Sequence, residues 1–420
     1  MADSGKLIPE EDALCESIQQ LKIDNPEWGI KSVYNEIVKA HENWQVSEKR
    51  VKKIMQAQGL TQTSSPNDAA KSLKIVKSGV ADDPSIPVSF IDPKLDFQSF
   101  SSNIMAKMVD NVTGKGLFAA KDIKKDDIIF TETPLVYFPP WEGFTMARTG
   151  EACGLCCKPF TRAIRMGVRC SHCDIMYCSK QCRTTAIETF HPLECPALNP
   201  HMRDFMNFCA GEQWQAPMAV ARMYCHMMLA HQRGELETVL MHYNAFATVN
   251  QAERQAKETE WIFMEHPTRE LWTKARAKLT KALHPPPKKC KINTPLPDDL
   301  ANQLFNDEDT FLNYLGKFNI NNQNGGMYLV HSHINHNCTP NVSIDYPTTQ
   351  QTQYKLMVRA IRDIKKGEQL FESYVNPRWN KETRQNYLNK SYMFECQCER
   401  CNNDGPLTDE LRKGLRLRAE

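Results

Sequence analysis

The sequence predicts an α+β protein, with a small all-α module set apart at the N-terminus and metal-binding segments built into the main body. Three observations carry that expectation: apolar residues at helical spacing before residue 60, a long helical tract after residue 200, and cysteines clustered at ligand spacing in segments with neither period. The β part of the expectation rests not on periodicity but on the motifs of residues 113–136 and 334–375.

The 420 residues carry 52 Lys and Arg against 50 Asp and Glu, a formal net charge of +2, so no bulk attraction to nucleic acid is implied. A hydrophobic share of 41% is enough for one large core or for two or three smaller domains. No apolar run approaches a membrane span, and the opening stretch MADSGKLIPEEDALCES lacks the apolar region of a signal peptide. A soluble intracellular chain with no membrane partner is expected. In a reducing compartment, sixteen cysteines point to metal and away from disulfides.

Residues 1–62 read as the all-α module, with three short helices between 10 and 60. In the second, Ile30, Val33, Tyr34, Ile37 and Val38 form one apolar face at i, i+3, i+4, i+7 and i+8. The third opens at Ser47, a good N-cap, and closes before Gly59. Val51, Ile54 and Met55 make its apolar side; Lys49, Arg50, Lys52 and Lys53 make a basic one. The pattern resembles the helix-turn-helix of transposase and integrase N-terminal modules, which implies a DNA contact, with a solvated basic face as the other reading. Residues 63–104 read as a linker, because Ser, Pro, Asp and Lys dominate from Thr61 to about Asp96 with little periodicity. A core is expected to begin near Met105. Residues 196–315 read as a helical connector, with helical signals from Met218 to His231 and a charged amphipathic stretch from Gln251 to Leu283. HPPPKKCKINTPLPDD then breaks into a surface loop.

Between those segments, residues 151–195 give C-x2-C-x13-C-x2-C-x4-C-x3-C-x8-H-x3-C. Eight soft and imidazole ligands, Cys153, Cys156, Cys170, Cys173, Cys178, Cys182, His191 and Cys195, suit two zinc ions. So short a segment cannot bury enough apolar surface to fold alone, so metal binding is its folding free energy. The pattern resembles the MYND finger, whose pairs interleave. On that resemblance Cys153, Cys156, Cys178 and Cys182 hold one ion, and Cys170, Cys173, His191 and Cys195 the other. Cys157 is left over as a free thiol. The resemblance also implies a proline-rich peptide partner, while nearby Lys158, Arg162, Arg165 and Arg169 suit nucleic acid and a purely structural finger stands beside both readings.

FECQCERC at 394–401 places Cys396, Cys398 and Cys401 together, one ligand short of a closed tetrahedral zinc site. Of the cysteines outside the finger, Cys15, Cys157, Cys209, Cys225 and Cys290 lie mostly in helical patterns. Cys338, in INHNCTPNV at 334–342, sits among polar residues and a proline with no helical or strand alternation. It is the candidate fourth ligand.

TGKGLFAAKDIKKDDIIFTETPLV (113–136), INHNCTPNV, RAIRDIKKGEQLFESYV (359–375) and YMFECQCERC resemble, in that order, the motifs of SET-domain lysine methyltransferases. The finger between the first motif and the others resembles the SET-MYND branch. The resemblance implies a SET-domain β-fold of small curled sheets, divided as 105–150 for the first part, 151–195 for the inserted finger, 316–378 for the catalytic core, 379–403 for a zinc-binding post-SET tail, and 404–420 as a further tail. It implies three structural zinc ions, the third held by Cys338, Cys396, Cys398 and Cys401, and S-adenosylmethionine as methyl donor. By the same resemblance Lys115 meets the donor's carboxylate and Gly116 and Leu117 offer backbone contacts. Asn335 and His336 hold its amino group and adenine side with Ser332 nearby, and Phe394 stacks on the adenine. Tyr374 carries the chemistry by orienting the substrate amine, and Tyr392 lines the lysine channel. The substrate class implied is a histone tail or another protein lysine, in the nucleus and also the cytoplasm, with the chain acting as a monomer.

Two departures stand out. Asn337 replaces the usual serine of the N-H-S-C motif, and only NNDGPLTDELRKGLRLRAE follows Cys401, where many SET-MYND proteins carry a helical repeat domain. Two rival readings are a catalytically weak SET-MYND scaffold that recruits a partner peptide and a chromatin regulator that binds DNA through the first 60 residues.

Overall fold

In the computed structural model of the chain, the residues described are 7–25, 28–41, 43–57, 86–110, 113–161, 167–257, 268–347 and 352–403. Gly59, Arg162, Arg165, the first part of the linker and residues 404–420 lie outside them. The chain divides into two compact units, Met1–Leu73 and Lys74–Glu420.

The first unit is a three-helix module: α1 (Glu11–Asp24), α2 (Ile30–Ala40) and α3 (Glu48–Ala57). The apolar faces read from the sequence meet in its core, where Leu14, Ile18, Val33, Ile37, Val51, Ile54 and Met55 are all buried. The Ser47 hydroxyl accepts the Arg50 amide at 3.3 Å, as an N-cap should. Arg50 departs from the expected basic face: its Nη2 donates to the Pro9 carbonyl at 2.9 Å, which leaves Lys49, Lys52 and Lys53 exposed.

The second unit begins earlier than its composition implied. Val88 exchanges two backbone hydrogen bonds with Thr248, at 3.0 and 2.9 Å; Asp92 is 2% exposed and pairs with His242; and Leu95, Phe97 and Phe100 pack on the main core. Residues 86–100 therefore strap the core instead of linking to it. Their apolar side chains pack on the core without helical or strand spacing, so no period announces them.

Strands then follow as small sheets. β1 (Ile104–Asp110) and β2 (Gly114–Ala119) form an antiparallel hairpin, and β3 (Ile128–Glu132) is followed by β4 (Val136–Tyr137). Gly114 makes the β1–β2 turn at φ +73°, a conformation that favours glycine. After α4 (Trp141–Arg148) comes the cysteine-rich segment, with the two-residue strands β5 (Val168–Arg169) and β6 (Met176–Tyr177), then α5 (Lys180–Thr189) and α6 (His191–Glu194).

The connector is α7 (Pro200–Gly211), α8 (Ala216–Gln232), α9 (Leu236–Ala245), α10 (Gln251–Lys257), α11 (Arg269–Leu283), α12 (Asp298–Asn306) and α13 (Glu308–Asn321). Residues 258–267, in the middle of the expected Gln251–Leu283 stretch, are outside the described residues. α8 is buried on every side from Ala216 to Ala230, as a helix apolar all round must be. The boundary expected at 315/316 falls inside α13, because Gly316 continues the helix where α13 presses on the chain before α10: a Cβ there would lie 1.9 Å from the Val249 carbonyl oxygen.

The chain returns to strands in β7 (Gly326–Met327), β8 (Asn335–His336), β9 (Val342–Asp345), β10 (Leu356–Ala360) and β11 (Phe371–Glu372), and ends in α14 (Lys381–Tyr392) and α15 (Glu399–Asn403). The sheet orders are β3-β10-β9, β11-β8, β4-β7 and β5-β6 beside the β1-β2 hairpin, so α+β with small sheets describes the unit. Its core joins Ile104, Leu117, Phe130, Tyr328, Val342, Val358 and Leu370 from strands distant in sequence. Among the described residues no helix is long and apolar enough to cross a membrane.

Gly316→Ala is expected to lower unfolding free energy by about 2–3 kcal/mol, because backbone and not a flexible side chain blocks the added methyl. Chemical denaturation with the wild type alongside measures it.

Candidate functional site

The site is assembled where residues 332–341 lie against residues 369–374. β8 and β11 pair in parallel, Phe371 with Asn335 and Glu372 with His336. The pairing continues as the Asn337 amide donates to the Glu372 carbonyl at 2.9 Å and the Asn341 amide to the Phe371 carbonyl at 3.1 Å. Asn341 is 1% exposed and completes the join: its Oδ1 accepts the Phe371 amide at 2.7 Å and its Nδ2 donates to the Gln369 carbonyl at 2.8 Å. Asn337 accepts the Thr339 amide at 2.8 Å through its Oδ1, a turn its short side chain favours.

Tyr374 follows directly. Its amide donates to His336 Nδ1 at 3.0 Å, and its hydroxyl to the Ile334 carbonyl at 2.8 Å. Because His336 Nδ1 is an acceptor, the ring proton belongs on Nε2, which faces Cys338 Sγ at 3.3 Å. Burial lowers the His336 pKa to about 4, so the ring is neutral at physiological pH. Burial also raises the Tyr374 hydroxyl well above its ordinary value, which keeps it a phenol. Tyr392 tilts over Tyr374 with ring centroids 4.6 Å apart, and the half-buried Phe394 ring lies 6.0 Å from His336. Met393 sits between them at φ +69°, turning the chain from α14 into the tail.

Lys115, in β2, is 4% exposed, and its ammonium donates to the Ala245 carbonyl at 2.8 Å and to Ser332 Oγ at 3.0 Å. Burial brings its pKa down to about 7, against the opposing pull of Asp92 and Glu132. Asn335 Nδ2 donates to the Lys115 carbonyl at 2.9 Å, so Lys115, Ser332 and Asn335 stand together as expected. Gly116 and Leu117 lie beside Lys115 in β2. The Leu117 carbonyl accepts the Leu370 amide at 2.7 Å, and a Cβ on Gly116 would lie 2.7 Å from Gln369 Nε2 and 2.8 Å from Val109 Cγ2. Close packing against Gln369 and Val109 gives Gly116 a reason within the fold, beside any contact to a ligand.

Four further residues escaped the sequence reading, and no local spacing marks them. Glu132, 2% exposed, accepts the Val330 and His331 amides at 2.9 Å each and so fixes the turn that leads into Ser332 and Asn335. Burial pushes its pKa up to about 7. The His331 ring stands 2.8 Å from Glu372 Oε1. The other two, Arg384 and Gln385, meet the tail cysteines.

The metal-ligand expectations converge in three groups: Cys153, Cys156, Cys178 and Cys182; Cys170, Cys173, His191 and Cys195; Cys338, Cys396, Cys398 and Cys401. In each, all donor atoms lie within 4.8 Å of one another. Sulfurs bound tetrahedrally at about 2.3 Å stand roughly 3.8 Å apart. The observed separations bracket that value: 3.6 Å for Cys156–Cys178, 3.5 Å for Cys178–Cys182, 3.5 Å for Cys338–Cys401 and 4.0 Å for Cys338–Cys396. The donor sets fit zinc. Cys157 lies outside the groups, and burial pushes its thiol up to about 12.

The SET domain matches residues 114–375, which contain the β2 strand, the join and Tyr374. A protein of Yarrowia lipolytica named histone-lysine N-methyltransferase SET5 is 33% identical over 370 residues, covering 87% of this chain and 75% of that one. This chain belongs to the SET-domain lysine methyltransferase family. Proteins of the same name from Mycosarcoma maydis and Scheffersomyces stipitis are 29% and 26% identical, covering 86% and 96% of this chain and 80% and 83% of theirs. Within the SET domain the finger and the connector form one long insertion between β4 and β7, two strands that pair with each other across it.

Glu132→Ala is expected to lower unfolding free energy by about 2–4 kcal/mol, since two buried amides lose their acceptor, and Glu132→Gln by about half as much. Denaturant titration of the three proteins measures the order.

Proposed function

We propose that the chain transfers a methyl group from S-adenosylmethionine to a lysine of a histone tail, acting on chromatin in the nucleus. The observation that carries this is the Tyr374 hydroxyl, whose proton is committed to the Ile334 carbonyl beside the Tyr392 ring. Its lone pairs are then free to accept from an incoming amine and a polarised methyl. S-adenosylmethionine supplies the electrophilic methyl when bound. Tyr374 remains a phenol, so it orients and does not deprotonate. Tyr392, itself pushed above its ordinary pKa by burial, adds an apolar wall that favours a neutral lysine over a charged one. Positioning of this kind supplies much of the rate in an in-line displacement.

Asn335, His336 and Phe394 are read as the donor's amino and adenine side, with Lys115 and Ser332 at its carboxylate. The proximity of Lys115, Ser332 and Asn335 supports that assignment. The backbone groups of Gly116 and Leu117 are read as further contacts to the donor, as the resemblance implies. Zinc in the three clusters would hold the finger and the tail folded, and the finger is read as a MYND finger of the SET-MYND branch because its ligands interleave in that order. Cavities of about 370 and 400 Å³ lie against the finger, the first lined by Phe144, Phe190, Arg203 and Arg222, and they support a proline-rich peptide partner there. Exposed Lys49, Lys52 and Lys53 support DNA contact by the N-terminal module. The catalytic chemistry needs only one copy of the chain, consistent with a monomer.

The test uses purified chain, labelled donor and core histones. Wild type is expected to methylate histone; Tyr374→Phe to lose on the order of 10²-fold in kcat while still binding donor; and Cys338→Ala to lose one zinc of three together with donor binding. Failure of wild type to bind the donor, or full activity in Tyr374→Phe, overturns the proposal.

Lys115 adds a pH dependence. With its pKa near 7, it is half charged at neutral pH, and a bound carboxylate favours the charged form. Donor affinity should therefore fall as pH rises above about 7, by up to tenfold per pH unit. Calorimetry from pH 7 to 9 should show a shallower fall in Lys115→Met than in wild type; identical slopes remove Lys115 from the donor site.

A further inference from the structure

Arg384 lies in the first turn of α14 and is 3% exposed. Its Nε donates to Cys338 Sγ at 3.2 Å, its Nη2 to Cys401 Sγ at 3.7 Å, and its Nη1 to the Trp379 carbonyl at 2.6 Å. One planar fork thus joins two ligands of the tail cluster, which lie far apart in the chain, to the loop that precedes its own helix. Gln385 grips the same cluster through backbone: its Nε2 donates to the Cys396 carbonyl at 2.7 Å and its Oε1 accepts the Cys396 amide at 2.8 Å. Arg400 Nη1 adds a bond to the Cys338 carbonyl at 3.2 Å.

Charge explains why a guanidinium stands there. A zinc ion held by four thiolates carries two net negative charges, and this cluster sits against Val375 and Leu388, both buried. Uncompensated charge in such surroundings is costly. A fixed cation that also donates to the sulfurs offsets the site's net negative charge and lowers the sulfurs' affinity for protons, so they are protonated off the metal less readily. Among the described residues neither finger cluster has an arginine bonded to its sulfurs, so any effect should be confined to the tail ion.

Resting on the zinc reading above, we propose that Arg384 is the positioning residue of the tail zinc site: its fork offsets the charge of the four thiolates, orients Cys338 and Cys401, and sets how firmly the third ion is retained. Through the Trp379 carbonyl the same fork ties that ion to a row of rings. Trp379 meets Tyr387 at 5.5 Å between centroids, Tyr387 meets Tyr392 at 6.4 Å, and Tyr392 meets Tyr374 at 4.6 Å. Retention of the metal and order at the catalytic tyrosine are therefore linked through one side chain.

The full chain, loaded with zinc, is challenged with a chromogenic chelator, comparing wild type with Arg384→Met and Arg384→Lys. Arg384→Met is expected to release one ion at least tenfold faster while the other two leave at the wild-type rate. Arg384→Lys, which restores charge but cannot reach both sulfurs and the carbonyl, should fall between. In cobalt-substituted protein the sulfur-to-metal absorption should shift to lower energy in Arg384→Met, because two N–H···S bonds are gone. Release of the third ion at the wild-type rate with an unshifted band overturns the proposal, as does equal acceleration of all three ions, which would mean general loosening. A wild type that holds only two ions instead overturns the zinc reading of the tail and leaves Arg384 without that role.

Discussion

The geometry around Tyr374 depends on one constraint: residues 334–341 are fastened at the same time to 369–374 by backbone hydrogen bonds and to 396–401 by sulfur. None of these three short segments has enough apolar surface of its own to hold a position. β8 and β11 are two residues each, and the segment from Met393 to Asn403 is a single turn of helix with loops. Cross-linking through His336, Asn341 and Cys338 replaces the burial that longer elements would provide.

The same fastening fixes the chemistry. His336 is held neutral by burial, and its two ring nitrogens are divided between the Tyr374 amide and the Cys338 sulfur, so the ring spans the space between the chain after β11 and the tail cysteines. The Tyr374 hydroxyl spends its proton within the fold and keeps its lone pairs for a ligand. A group arranged in this way needs no pKa near neutrality to act, because its contribution is orientation. The helical connector enters the same site from behind, where the Ala245 carbonyl at the end of α9 receives the Lys115 ammonium.

What could be read from the sequence follows from how local each signal is. Ligand spacing is set by turns of a few residues, so the twelve donors were legible in their cysteines and one histidine, and even Cys338 could be singled out by its surroundings; how the finger's eight divide into two groups came from the resemblance and not from spacing. The apolar faces of α2 and α3 were legible for the same reason. The rest depends on partners distant in the chain. Residues 86–100 look like a linker because Leu95, Phe97 and Phe100 pack on a core built from distant strands, and the break placed at 315/316 missed that α13 continues through Gly316 against the Val249 carbonyl. Glu132, Arg384 and Gln385 carry no spacing at all, since each serves backbone or sulfur far from itself.

The central claim is that a distant cysteine and the final cysteine trio share one ion beside the catalytic tyrosine. A crystal of the full chain measured at the zinc absorption edge tests it most directly. Three anomalous peaks are predicted, one of them about 2.3 Å from the sulfurs of Cys338, Cys396, Cys398 and Cys401 together. A tail ordered against Tyr374 with no peak among those four sulfurs would contradict the account.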